Sequence, residues 1–369
     1  MYPRLSDHEL THRFAQLVTS FCQAAGPGER VLLGGDAVPA LAALAQALAA
    51  VGAVPVADVP PSVLPELLAR VQEMGVVQGA AQGTEPGWQL EDGSAHGVVQ
   101  RWRDATGYVH VRTSAYRPAP LPEGEAGAEV RRLRMTKRKT TTYWPDEQLA
   151  QRAGMSLPEL EAYYAHLLNL ADDDPVAGFI QLRDFQAQRI ELLARARTVR
   201  ITGKGTDLTL SVAGRGWQNS YGRRNTPSGE MFTSPLEDSA TGVIHFDVPS
   251  YNFGTPVRGV TLELRAGEVV SATAEEGEEI LLRQLERDAG ARRLGELGIG
   301  GNGRMTRPLG STLFDEKILG TVHLALGASY PQTGGQNESV IHWDLIKDLR
   351  TGGAIYLDGE PFQVDGRFV

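Results

Sequence analysis

The stretch between Arg30 and Val59 restricts the fold more than any other part of the chain. RVLLGGD (30–36) reads as a strand, PALAALAQALAAVGA (39–53) as an alanine-rich helix and VPVADV (54–59) as a second strand. Parallel strands need a crossover of a dozen or more residues, and a helix of this length supplies it. The first part of the chain is therefore expected to build an α/β unit on a parallel sheet. The Gly34-Gly35-Asp36 turn lacks both the dinucleotide glycine spacing and the P-loop lysine, so it gives no ground for nucleotide binding.

The neighbouring segments extend this reading. Leu10, Phe14, Leu17, Val18 and Phe21 are spaced for one face of a helix within residues 5–25, a helix is expected at 61–75, and GYVHVR (107–112) reads as a further strand. The proline- and glycine-rich RPAPLPEGEAGAE (117–129) reads as an exposed loop. Ser156 and Glu159 form a capping box that opens a helix over 156–170, and apolar residues at helical spacing continue over 176–196. From residue 198 the pattern changes to short strands and turns. Hairpins are expected at 199–212 and 258–275, with a helix at 275–288. The expected fold class is thus an α/β N-terminal domain with a parallel sheet over 1–197, followed by a β-rich α+β C-terminal domain over 198–369. A length of 369 residues fits two cores, since single cores rarely grow past about 250–300 residues.

Charge and composition exclude several function classes. The chain is 41% hydrophobic and 22% charged, with no apolar run of the roughly 18 residues a membrane span requires. The opening residues MYPRLSDHELTHRF mix charges into their first turns, which favours the cytoplasm over export. Cys22 is the one cysteine, so an internal disulfide or thiolate cluster is impossible and a transition metal must take nitrogen and oxygen ligands. A net charge of −9 argues against general nucleic-acid binding. The basic run RRLRMTKRK (131–139) has no interleaved aromatic or glycine pattern and reads as a solvated or packed stretch.

The densest chemistry lies in HLALGASYPQTGGQNESVIHWD (323–344). TVHLALG (321–327) and SVIHWDLI (339–346) both alternate as strands, and the period of two puts His342 and Asp344 on one face. PQTGGQNE between them is turn chemistry, so the strands are expected to pair and bring His323 near His342. Imidazole and carboxylate suit zinc, manganese, iron or cobalt, although a lone strand histidine is more often a hydrogen-bonded interior or surface group. His96 and His110 have no carboxylates at ligand spacing, and His166 reads as a packing residue.

More acids are needed for a catalytic centre. Glu230 follows the Pro-Ser-Gly turn of NTPSGEMFTSPLEDS (225–239), where a backbone turn can fix a carboxylate, while Glu237 and Asp238 in the same stretch read equally as solvated loop acids. Glu296 in RRLGELGIG has apolar neighbours on both sides, and an acid so placed is costly to bury unless paired or metal-bound. Arg292 and Arg293 offer an ordinary salt bridge as the alternative.

GTDLTL, NTPSGEMFTSPLEDS, GARRLGELGIG, STLFDEK, HLALGASYP and NESVIHWDLI occur in the order found in the metalloaminopeptidases of the aminopeptidase T and S family, M29, which the chain resembles over roughly residues 140–369. The resemblance implies two divalent metal ions per chain (Zn, Co, Mn or Mg) in the C-terminal domain of a homodimer. Carried over motif by motif, the implied ligands are Glu230, Glu296, His323, Tyr330, His342 and Asp344. Glu230, Glu296 and Tyr330 are the implied catalytic groups, with Tyr330 as ligand or as hydrogen-bond donor to the reacting carbonyl.

The implied reaction is hydrolytic removal of an N-terminal amino acid from a peptide with a free amine, with Glu230 or Glu296 as general base. Two other readings use the same residues. His323, His342 and Asp344 alone make the two-histidine, one-carboxylate set of mononuclear iron(II) oxygenases, and ring-cleaving dihydroxypyridine dioxygenases resemble this family in their C-terminal half. A metal-stabilised scaffold that binds peptides without cleaving them is the third.

Overall fold

The computed structural model describes residues 2–76, 94–118, 120–251 and 255–369. These residues fall into two compact units, one made of 1–178 with 222–227 and the other of 179–221 with 228–369.

The first unit is built on four strands, β1 (Arg30–Gly35), β2 (Val54–Asp58), β3 (Gly107–Arg112) and β4 (Arg138–Tyr143). They are parallel throughout, in the order β2-β1-β3-β4. The crossover from β1 to β2 is the helix Val38–Ala50, with Pro39 in its first turn where a missing N–H costs nothing. A capping box of Ser6 and Glu9 opens the helix Asp7–Leu17, and the box of Ser156 and Glu159 opens Leu157–Leu167. One face of the sheet packs Leu32, Val56 and Tyr108 against Val99, Trp102 and Val130.

The segment 117–129 departs from expectation, because a helix begins inside it and runs from Gly124 to Thr136. Its Ala126, Val130 and Leu133 recur at helical spacing and pack on the Trp102 cluster. That burial outweighs the local glycine content. The basic run is divided between this helix and β4, and the Arg134 guanidinium lies over the Trp102 ring, 4.8 Å from its centroid. Ring stacking also takes up His166, whose imidazole lies 4.4 Å from the Tyr2 ring.

In the second unit the strands are β5 (Thr198–Gly203), β6 (Thr206–Ser211), β7 (Gln218–Ser220), β8 (Glu230–Thr233), β9 (Thr241–Phe246), β10 (Val260–Arg265), β11 (Glu268–Thr273), β12 (Leu294–Gly300), β13 (Thr321–Gly327), β14 (His342–Asp348), β15 (Ala354–Leu357), β16 (Glu360–Val364) and β17 (Arg367–Phe368). They form an eight-stranded sheet, β11-β10-β9-β6-β5-β15-β16-β17, and a five-stranded sheet, β14-β13-β12-β8-β7. Both expected hairpins are present as antiparallel pairs, β5 with β6 and β10 with β11.

Alternation along the strands decides how the sheets meet. Met231, Leu297, Ile299, Val322, Leu324, Trp343 and Leu345 from the smaller sheet share one core with Val199, Ile201, Leu208, Ile244 and Leu262 from the larger. Each such side chain contributes roughly 1.5–3 kcal/mol when fully buried. The opposite face of the smaller sheet is left for polar residues, and the candidate ligands stand there. No helix among the described residues is long and apolar enough to cross a membrane.

Candidate metal centre

β13 and β14 pair antiparallel, with Ala325 opposite Asp344 and Gly327 opposite His342. Directly opposed residues point to the same face, so His323, Asp344 and His342 all project from one side of the smaller sheet. On the far side of β13, Glu296 of β12 also stands opposite Ala325. The methyl group of Ala325 therefore separates two carboxylates that reach over it from either flank. A register shift between Leu294 and Glu296 turns Glu296 to this face.

The remaining acid arrives from β8, where Glu230 stands opposite Gly300. Gly229 before it has a φ of +132° and its Cα lies so near Asn302 that an added Cβ would come within 2.5 Å of the Asn302 side chain. Asn302 donates from Nδ2 to Ser228 O at 2.6 Å, and the buried Gln186 donates to Glu230 O at 3.0 Å. The turn that carries Glu230 is held from both sides. On β12 the residues facing the cluster are Gly298 and Gly300; a Cβ at Gly298 would lie 1.9 Å from His323 Nε2.

Five of the six expected residues thus converge. His323 Nε2 lies 3.2 Å from Glu230 Oε2 and 3.6 Å from Glu296 Oε1. His342 Nε2 lies 3.1 Å from Glu296 Oε2 and 3.5 Å from Asp344 Oδ1. The His342 Nδ1 donates to Ala328 O at 2.8 Å, which fixes the ring and leaves Nε2 for the cluster. Tyr330, the sixth, is at the rim: its hydroxyl is 3.4 Å from His342 Nε2 and its ring meets that imidazole edge-on at 5.1 Å. His342 is the exposed member of the group, whereas Glu230, Glu296 and His323 are buried.

Two further charged residues stand here, both inside the STLFDEK motif, which by itself gives them no role. The short helix Thr312–Asp315 delivers Glu316 and Lys317, both buried. Lys317 Nζ lies 2.6 Å from Glu230 Oε1 and also pairs with Glu316. Asp315 accepts from the backbone N–H groups of Leu309, Gly310 and Ser311 at 2.6, 2.9 and 3.0 Å, which holds the approach to that helix. The signal for them in the sequence is that motif and its run of three charges, Asp315-Glu316-Lys317, set between Phe314 and Ile318. Glu237, by contrast, is held elsewhere by Arg215 at 2.6 Å. The salt-bridge alternative for Glu296 is not realised: Arg292 and Arg293 donate to Val269 O and Glu237 O.

The electrostatics follow from four carboxylates crowded out of water. Burial works against the charge on Glu230, but the Lys317 ammonium and His323 bring its carboxyl down to about 2. Burial likewise opposes charge on Glu296, and His323 and His342 prevail to lower it. Burial opposes a charged His342, yet Asp344 and Glu296 lift it to about 12. For Glu316 burial wins and raises the carboxyl to about 8 despite Lys317. The acids and the two imidazoles thus hold one another in their charged forms, and a divalent cation would take over the role of the imidazole protons.

The donor set fits divalent metal. Glu230, Glu296 and His323 offer ligand atoms within 4.8 Å of one another, as do Glu296, His342 and Asp344, and as do Glu316, His323 and Asp344. Glu316 Oε2 and His323 Nδ1 are buried atoms with no hydrogen-bond partner, a costly condition unless something else satisfies them, while Glu230 Oε2 and Asp344 Oδ1 are buried against the imidazoles of His323 and His342. Nitrogen and oxygen donors in this mixture suit zinc, cobalt or manganese.

Known metalloproteases resemble this chain. Residues 122–368 match the family described as thermophilic metalloprotease (M29). Aminopeptidase T of Thermus thermophilus is 32% identical over 278 residues, covering 68% of this chain and 61% of the relative. Aminopeptidase AmpS of Bacillus subtilis is 30% identical over 234 residues, covering 53% of this chain and 56% of the relative. The chain is therefore matched to little more than half the length of these curated relatives. The structure of wild-type AmpT from Thermus thermophilus superposes with a TM-score of 0.74 at 22% identity, covering 99% of this chain and 100% of that one, and supports the fold.

Proposed function

The chain belongs to the M29 family of thermophilic metalloproteases, and from that premise we propose that it is an aminopeptidase with two divalent ions held in its second unit. The observation that carries the reading is the position of Glu296, whose two oxygens lie 3.6 Å from His323 and 3.1 Å from His342. It belongs to two separate three-residue groups, as a carboxylate bridging two ions would. Glu230 and His323 complete one ligand set, and His342 and Asp344 the other. Tyr330 stands beside them as the sixth residue of the proposed site.

Ions bound there would supply Lewis acidity toward a peptide carbonyl and lower the pKa of an attacking water. The residues themselves bind and orient. The carboxylates attract the protonated α-amine of a peptide, which makes a free N-terminus a condition of binding. In this reading Tyr330, beside His342, would donate its O–H to the carbonyl oxygen of a substrate entering past that exposed ring. Gly298 and Gly300 keep the floor open beneath the ligands.

The iron(II) dioxygenase reading accounts for His323, His342 and Asp344 but leaves Glu230 and Glu296 without a role, and relatives named aminopeptidases weigh against it. The test is hydrolysis of a leucine chromogenic amide by the metal-reconstituted protein beside its N-acetylated form. We expect cleavage of the free amine alone, lost with chelator and restored by divalent metal. No turnover across several amino acids and metals, with oxygen uptake on dihydroxypyridines, would instead establish the dioxygenase. A homodimer belongs to the same proposal through the family resemblance, and light scattering that returned the mass of a single chain would remove it.

A further inference from the structure

Lys317 is buried inside a cluster whose purpose, on the reading above, is to bind cations. An ammonium there opposes metal binding on charge alone, so its presence calls for a reason. Its surroundings give one. Lys317 Nζ lies 2.6 Å from Glu230 Oε1 and is paired with Glu316 Oε1. The second oxygen of each acid is also buried, Glu316 Oε2 with no hydrogen-bond partner and Glu230 Oε2 against an imidazole. Glu230 Oε2 is the oxygen 3.2 Å from His323 Nε2, and Glu316 offers an atom within 4.8 Å of ligand atoms on His323 and Asp344.

The main chain of Lys317 is held as well. Lys317 O accepts from Asn302 N at 2.9 Å, and the same Asn302 donates from Nδ2 to Ser228 O at 2.6 Å. The turn bearing Glu230 and the segment bearing Lys317 are thus tied through one residue. We infer that Lys317 is a positioning residue of the metal centre, which occupies one oxygen each of Glu230 and Glu316 and so presents each acid to the cluster through a single remaining oxygen. This rests on the metal-centre reading. A group behind the ligands that orients them typically changes metal affinity or activity by 10–100-fold when removed.

The test is zinc affinity of the full-length protein, measured by competition with a chromogenic chelator, with folding followed by circular dichroism. Lys317→Met keeps the stem and removes the ammonium. Positioning predicts zinc binding about 10–100-fold weaker, although the lost positive charge by itself would tighten it. Lys317→Arg retains the charge but replaces a point donor with a planar fork, and is expected to weaken binding about fivefold or more. It also decides the matter if Lys317→Met does not fold. Unchanged or tighter zinc binding in either folded variant overturns the inference. So does a loss of thermal stability equal with and without zinc, which marks a purely structural ion pair. Failure of the wild type to bind zinc, cobalt or manganese overturns the metal-centre reading itself, and this inference with it.

Discussion

Gly298 stands directly across the β12–β13 ladder from His323, and a Cβ at that glycine would lie 1.9 Å from the imidazole Nε2. The glycine is not there for its backbone freedom, since its φ is not in the left-handed region. It is there because the ring needs the space. Gly298→Ala should push His323 off its position, lowering stability by about 1–3 kcal/mol as overpacking does and cutting metal uptake. Thermal melts and metal analysis of the purified variant check both, and wild-type metal content would show that the ring can move without cost.

Glu230→Gln and His342→Ala should each reduce kcat/KM at least about 100-fold while leaving the far-ultraviolet spectrum unchanged. Glu230→Gln preserves shape but removes the charge that faces Lys317 and His323. His342 is exposed at the rim, so its truncation opens no core cavity. Full activity in either variant would rule out the assigned site.

Removal of divalent metal should lower the thermal midpoint, because the groups Glu230, Glu296, His323 and Glu296, His342, Asp344 each offer ligand atoms within 4.8 Å of one another that a bound ion would tie together. An ion present at a hundred times its dissociation constant adds about 2.7 kcal/mol. Melting curves in chelator, then after metal is restored, should differ reversibly. Coincident curves would mean that the cluster is stable without a cation.

Acid sensitivity should depend on His110 in the first unit. Burial, with Arg112, Lys139 and Arg134 nearby, brings its imidazole down to about 3, and its Nε2 is a buried atom with no hydrogen-bond partner. An unfolded chain would take up a proton near pH 6.5 that the folded protein refuses. Between those values the unfolded state binds more protons, so stability falls as pH drops from about 6.5 toward 3. His110→Phe should flatten that limb by an amount on the order of 3 kcal/mol, read from denaturant midpoints at pH 7 and pH 4. Parallel midpoint shifts in the variant and the wild type would refute it.

The class of each half and the elements that carry the chemistry are legible in the chain alone. Strand, helix and strand over 30–59 need no tertiary information, because crossover length and apolar periodicity are local properties. The period of two likewise places His342 and Asp344 on one face however their strand is paired. Local pattern fails at 124–136, where the helix depends on a hydrophobic partner, Trp102, that lies outside its own window.

Which strands neighbour one another, and in what register, is a property of the folded molecule. Glu230, Glu296 and the histidines are tens of residues apart, and a slip of one residue in β12 would turn Glu296 into the core and Leu297 out of it. The family resemblance names these residues without supplying that reason. Glu316 and Lys317 lie within the STLFDEK motif, but no local pattern assigns them to the site, because a helix as short as Thr312–Asp315 has too few turns to show a face. Their burial beside Glu230 is a consequence of backbone ties through Asn302, and long-range ties of that kind leave no periodic trace in the chain.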